Sequence, residues 1–504
     1  MIQFIKLPKY FWLIFLLVNL IARGPDLYVY LNTPTGVNFA GHASWLDGID
    51  LPVYVSALRQ GLAGNLLYLN QYDFQSQARL PVYLFYTLSG FIFQWLPISP
   101  WLLFHLLGIF TSFILLLICY WAVNIFNPRF TKLSFILITL GSGLGWVFFY
   151  LFHLQLPDFT IPHVTLYSAW RTPHDGLSLA TFLLTICAYY RFVSTPHKRF
   201  LLLSCLGFFI TSLIHGFMII PMIAIMATYQ LFLIIQHKFS YFQLQPFVLF
   251  TIISILVYFF IALPVNHSPS TQGLILAPHP SPPIGYFLLS FALLIPFVFL
   301  SIRRKASNFL IIWFFVQATI IYLPFDYQRL MIRGLWIPFA LLAIPSLAHL
   351  PRRFYFALIA ISIIGMIAIP VQIIRHPSPL SFYSDRFDSY LQFLQTQTPT
   401  VVLSAVQASN LTPAYTDHHV VVGHPYLSPN SGREIDNLYP FYTGKFNSTQ
   451  AIQYLSSHQI TLVYCGTEED AIANHQLPNY QFLQPIWQSG SAILYLVNTN
   501  GQDQ

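Results

Sequence analysis

Between residues 41 and 61 the chain reads Gly41-His-Ala-Ser-Trp-Leu-Asp47-Gly-Ile-Asp50-Leu-Pro-Val-Tyr54-Val-Ser-Ala-Leu-Arg59-Gln-Gly61. Asp50 stands where a helix should begin, with Pro52 in the first turn, where proline is tolerated, and Tyr54 one turn on. Taken bare, an Asp at that place is an N-cap; it can equally be a general base or a metal ligand. Asp47 lies three residues earlier, and its plainest reading is a solvated loop acid. Two carboxylates that close could share a cation or hold one proton, so a divalent cation stays open as a cofactor.

A second group comes from Leu156-Pro-Asp158 and Trp170-Arg171-Thr-Pro-His174-Asp175. Here the plain reading is an interfacial His174–Asp175 pair capping the adjoining helix. His215 splits a long apolar stretch and reads as a structural turn residue. A third group, Asp326-Tyr-Gln-Arg329-Leu-Met-Ile-Arg333, places two arginines four apart, which on an α-helix means one shared face. Arginine at membrane depth costs roughly 2.5–3.5 kcal/mol, so a partner is expected. Two on one face favour an anionic ligand such as a lipid phosphate over two snorkelling side chains.

The elements that must hold these groups are mostly membrane spans. Only 8% of the 504 residues are charged, against roughly 25% in a soluble protein, and 56% are hydrophobic. Apolar runs of bilayer length recur almost to residue 373. Residues 1–375 hold 20 Lys and Arg but only seven acids, whereas 376–504 hold three basic residues and nine acids. That shift predicts an all-α polytopic domain of about 11–13 spans over 1–375, with a long first outer loop at 23–79. A small soluble α/β domain occupies 376–504. The segment 80–98, broken by Pro81, Gly90 and Pro97, is expected to be re-entrant or interfacial.

Basic clusters at Lys6/Lys9, Arg129/Lys132, Arg191/Lys198/Arg199, Lys238, Arg303/Arg304/Lys305 and Arg352/Arg353 go inside by the positive-inside rule. The N-terminus is then cytoplasmic and the tail extracytoplasmic, in a multi-pass protein of the cell membrane. All seven acids of the membrane part fall on the outer side, a result not used to build the topology. No basic stripe interleaved with aromatics suggests nucleic acid. No P-loop, GxGxxG, HExxH or GxSxG motif stands at a convincing position.

Asp50-Leu-Pro-Val-Tyr54, then Arg59 and Gly61 or Gly64, followed by Arg79-Leu-Pro81, resembles the acidic first outer loop of the GT-C membrane glycosyltransferases. Later segments keep a similar order: Gly141-Ser-Gly-Leu-Gly145-Trp before Asp158, a Pro-rich segment at 265–283, then the arginines before Leu335–Pro338. Likeness is greatest to bacterial members whose C-terminal extracytoplasmic domain carries segments like Leu411-Thr-Pro-Ala-Tyr415 and Val422-Gly-His424-Pro. The resemblance implies inverting hexosyl or pentosyl transfer from a polyprenyl-phosphate sugar to a glycan, lipid or protein acceptor. Asp50 is then the expected base, with Asp47 and Asp158 as further carboxylates. Arg329, Arg333 and Arg79 would meet the donor phosphate, and Tyr54, His174 and Asp175 the substrate. The chain departs from the family in having no Asp-Glu pair or Asp-X-Asp motif after Asp50. The rival reading is a transporter or flippase for a lipid-linked anion, which would spread its acids through the spans.

Overall fold

The computed structural model describes residues 7–44, 48–160, 164–304, 306–475 and 479–498. Asp47, Lys6 and Lys305 lie outside the described residues. The chain forms two compact units: the first holds 1–27, 104–262 and 278–376, the second 28–103, 263–277 and 377–504. The composition shift near 375 therefore marks a unit boundary, but the first loop packs with the tail.

Among the described residues seven helices are long and apolar enough to cross a bilayer. Two bent pairs, Pro128–Leu140 with Gly145–Phe152 and Ile284–Phe291 with Ile295–Arg303, raise the number to nine if each pair is one span. This is fewer than apolar runs alone predict. Leu84–Phe93 has 10 residues and Asn308–Ile320 has 13. At 1.5 Å per residue they reach about 15–20 Å, short of a hydrocarbon core of roughly 30 Å. The run at 284–302 is cut by a 78° bend ahead of Pro296, and that at 133–153 by the glycines from Gly141.

Within the first unit, small and hydroxylated residues let helices approach closely. Gly207 faces the Thr181 carbonyl at a distance a Cβ would reduce to 2.6 Å, and Thr181 bonds Thr211 at 2.8 Å. Helix Trp336–Leu347 is the centre of this unit, with Ile337, Ala340 and Leu341 fully buried. Trp336 Nε1 donates to the Leu137 carbonyl at 3.0 Å and Asn127 Nδ2 to that of Leu341 at 2.9 Å. Leu16, Leu20, Leu202 and Phe260 point outward, as lipid-facing residues should.

In the second unit, five strands line up in the order His419–Val420, Val401–Leu403, Ile460–Cys465, Ala492–Val497, Leu483–Ser489. The first three are parallel, and the last two form an antiparallel hairpin added to them. Helices Asp385–Leu394 and Ser448–Ser457 pack apolar positions at helical spacing, Phe387, Tyr390, Leu391 and Leu394 in the one and Ala451, Tyr454 and Leu455 in the other. The strand Leu483–Ser489 and the helix Ser431–Tyr442 are additions; Pro485 and Pro440 interrupt their patterns.

Helix Asp50–Leu62 belongs to this unit. It begins at Asp50, where the sequence places a helix start, and nine of its thirteen residues are buried. One face meets Leu84–Phe93 backbone to backbone: a Cβ on Gly61 would stand 2.3 Å from the Thr87 carbonyl oxygen, and one on Gly90 2.3 Å from that of Leu58. The other side is tied to the tail by Arg59, which donates to Asp417 at 2.7 Å, Gln71 Oε1 at 2.9 Å and the Pro413 carbonyl at 3.2 Å. Arg59 thereby braces the C-terminal end of the helix against the tail.

Candidate active site

Asp50 opens its helix but does not cap it. The N-cap is Ile49, in helical conformation and without a side-chain cap bond. The Asp50 carboxylate instead accepts a hydrogen bond from His424 Nε2 at 2.8 Å. The imidazole is 2% exposed and the carboxylate 34%. His424 Nδ1 lies 3.2 Å from the backbone nitrogens of Tyr426 and Leu427, which can only donate. Nδ1 is thus the acceptor, Nε2 carries the proton, and the tautomer that donates to Asp50 is set by the backbone.

Asn410 holds both residues in place. Its Nδ2 donates to the Ile49 carbonyl at 2.9 Å and to that of Gly423 at 2.8 Å, one residue upstream of Asp50 and of His424 respectively. The Asn410 carbonyl in turn accepts from Tyr72 at 2.9 Å. A side chain on Gly423 would meet the Ser409 backbone at 2.9 Å, so glycine is required there. Asn70 Nδ2 donates to the Leu427 carbonyl and to that of Ser270, both at 3.0 Å, fixing the turn whose amides face His424. The aromatic wall comes from Tyr54, stacked on Tyr86 with centroids 4.9 Å apart and edge-on to Tyr83 at 5.5 Å. Arg79 is exposed, and its Nη1 donates to Gln60 Oε1 at 3.0 Å and the Leu67 carbonyl at 3.2 Å.

The first unit holds the other acids. Asp158 is buried against the glycine-rich turn and accepts from the Gly145 amide at 2.8 Å. Burial raises its pKa to about 6, against the pull of hydrogen bonds from Gly145, Ser290 and Gly143. A Cβ on Gly145 would stand 2.4 Å from Asp158 Oδ1. Gly145→Ala is therefore expected to cost about 1–3 kcal/mol by overpacking, seen as a lowered thermal midpoint in detergent; an unchanged midpoint would mean that the turn yields freely.

Asp175 does not cap its helix either; Thr172 is the N-cap, without a side-chain cap bond. Asp175 is 1% exposed and paired with Arg333, itself 5% exposed. Arg171 Nη1 lies 3.8 Å from the carboxylate, His174 Nε2 3.6 Å and His215 Nε2 3.5 Å. His215 also bonds Ser178 at 2.7 Å, so it is part of the charge cluster and not a bare turn residue. The ligand atoms of His174, Asp175 and His215 all lie within 4.8 Å of one another, a spacing that suits a metal. Arg333 Nη1, however, stands 2.8 and 3.0 Å from the two nitrogens of His215. A guanidinium stays charged in proteins, so a dication would first have to displace it.

The two arginines do not share an α-helical face. Gln328–Ile332 is a 3₁₀ turn, and Arg333 continues from it in extended conformation ahead of Gly334, whose φ is +79°. Arg329 is exposed and meets His279 Nδ1 at 3.2 Å, while Arg333 turns inward. A spacing of four implies a common face only at 3.6 residues per turn.

No family model and no curated protein matches the sequence. Solved structures match in fold. The arabinofuranosyltransferase AftD from Mycobacteria gives a TM-score of 0.62 at 13% identity, over 98% of this chain and 42% of that one. ArnT from Cupriavidus metallidurans in the apo state gives 0.57 at 10% identity, over 97% and 98%. The apo oligosaccharyltransferase of Archaeoglobus fulgidus gives 0.55 at 11% identity, over 99% and 75%. These neighbours are GT-C glycosyltransferases, and the chain has their fold: apolar membrane-span helices with a small sheet region at the C-terminus.

Proposed function

We propose that this chain is an inverting membrane glycosyltransferase, moving a sugar from a polyprenyl-phosphate carrier to an acceptor outside the cytoplasm, with Asp50 as the base. The observation that carries the reading is the Asp50 carboxylate itself: accessible, not used as a cap, and oriented by a buried histidine whose tautomer the backbone dictates. Such a carboxylate can take the proton from an acceptor hydroxyl as its oxygen attacks the anomeric carbon. The bond from that carbon to the phosphate oxygen breaks, and the lipid phosphate leaves with the electron pair. Fold neighbours support the donor class: ArnT is known bound to undecaprenyl phosphate, and the Archaeoglobus enzyme with a dolichol-phosphate and an inhibitory peptide.

Arg329 and Arg79 are the exposed arginines we assign to the donor phosphate, since a leaving phosphate needs cations at hand. Arg333 is already engaged by Asp175 and is not assigned that role. Tyr54 offers a ring to the substrate. Transfer from synthetic undecaprenyl-phosphate hexoses and pentoses, read as released undecaprenyl phosphate, tests the reading; release from none of them would end it.

The proposed topology makes a separate prediction. The four cysteines are buried or half-buried, so background labelling is low. Tyr439 is 47% exposed on the tail. Tyr439→Cys should react with a membrane-impermeant maleimide from the extracytoplasmic side of sealed cells. Reaction only from the cytoplasmic side of inverted vesicles would reverse the orientation.

A further inference from the structure

The second unit holds a polar pocket of about 440 Å³ that the transfer chemistry does not use. Its floor is Glu434, in the first turn of helix Ser431–Tyr442 and 6% exposed. Asn437 Nδ2, Tyr454 Oη and His458 Nε2 all meet Glu434 Oε2, each at 3.2 Å. Asn437 and Tyr454 are donors outright; His458 donates as well only when its ring carries both protons, because its Nδ1 faces the Tyr454 carbonyl at 2.9 Å. They hold the group rigid and leave the lone pairs of Oε1 for another donor.

The walls are amides: Gln75, Asn430, Gln450 and Gln453 line the pocket. An amide side chain donates and accepts at once, which is also what a sugar hydroxyl does. Phe74 and Phe446 supply apolar faces among them, Phe74 standing 4.9 Å from the His458 ring. Glu434 and Arg433 are the charged side chains of the lining, and His458 stands beside Glu434. One guanidinium set against a carboxylate is not a phosphate site, where several cations would converge. Nor would an apolar ligand choose walls of amides. The volume lies within the range of roughly 300–1,000 Å³ usual for small-molecule sites.

We propose that this pocket binds an uncharged saccharide, its hydroxyls bonded by the amides and by Glu434 and its C–H face laid on Phe74. The inference does not rest on the transferase reading.

The test uses the full chain in detergent on an array of neutral, uronate-bearing and phosphorylated oligosaccharides, with the strongest hit then titrated by calorimetry. Neutral oligosaccharides should be retained. Glu434→Gln should weaken the strongest by at least tenfold. Gln453→Ala, at an exposed position that folding tolerates, should weaken it several-fold. Asp50→Asn should bind as wild type. Retention of no neutral saccharide, or of acidic ones alone, overturns the proposal. So does a hit whose affinity both pocket variants leave within twofold, because it then binds elsewhere.

Discussion

Asp50→Asn is expected to lower the rate of sugar transfer by about 10²–10⁴, the range seen when a general base is lost, while the protein inserts and unfolds as wild type. Stability should hold for two reasons. The side chain makes no helix cap, so no cap is lost. Asn keeps an oxygen that can accept the bond from His424 Nε2, so the buried imidazole is not stranded. His424→Ala gives a different signature. Without the imidazole the carboxylate keeps its charge but loses the bond that aims it. The fall in kcat should be smaller than in Asp50→Asn, with KM for the donor unchanged. Initial rates with undecaprenyl-phosphate sugars separate the two. A wild-type rate for Asp50→Asn would send the search for the base to Asp158 or Asp47.

Much of this site was legible before any coordinate. Asp50 and Tyr54 stand out by type and spacing, Arg79 only through the resemblance of Arg79-Leu-Pro81 to the family's first outer loop, and the composition shift announces the α/β tail. What could not be read was the partner. His424 lies 374 residues from Asp50, and no local periodicity links them. The only signal was the segment Val422-Gly-His424-Pro, where a glycine required by close approach precedes a histidine. Asn410 gave no signal of its role either: it heads an Asn-X-Thr triplet too common to weigh, while its side chain is buried and both amide hydrogens go to carbonyls. The helix after Asp50 hid its burial for a related reason: Ser56 and Gln60 read as a polar face, but both bond Gln71 inside the unit. Polar residues that satisfy one another in a core look, in sequence, like a surface.

The Asp175–Arg333 pair should produce the largest stability effect. Both groups are nine-tenths or more buried, so removing one strips the other of its nearest opposite charge, with only the more distant, partly exposed Arg171 left beside Asp175 at 3.8 Å. Breaking such a pair typically costs about 3–5 kcal/mol, whereas replacing both partners by apolar residues is often neutral or stabilising. Arg333→Met should therefore collapse the yield of folded protein and its thermal midpoint in detergent. Asp175→Leu with Arg333→Met should recover most of both. His215 makes the single change worse, because Arg333 is the donor that its ring nitrogens face. Arg329→Ala serves as the contrast. Arg329 is exposed, so its loss should leave the midpoint within a degree or two and instead raise KM for the lipid-phosphate donor several-fold. The decisive comparison is the split between the two readouts. Should Arg333→Met fold normally and raise KM as Arg329→Ala does, the buried guanidinium is a phosphate ligand in waiting and Asp175 only holds its place. Should the midpoint fall and the double variant restore it, Arg333 is a strut of the helical core, and the charge that meets the donor is supplied elsewhere.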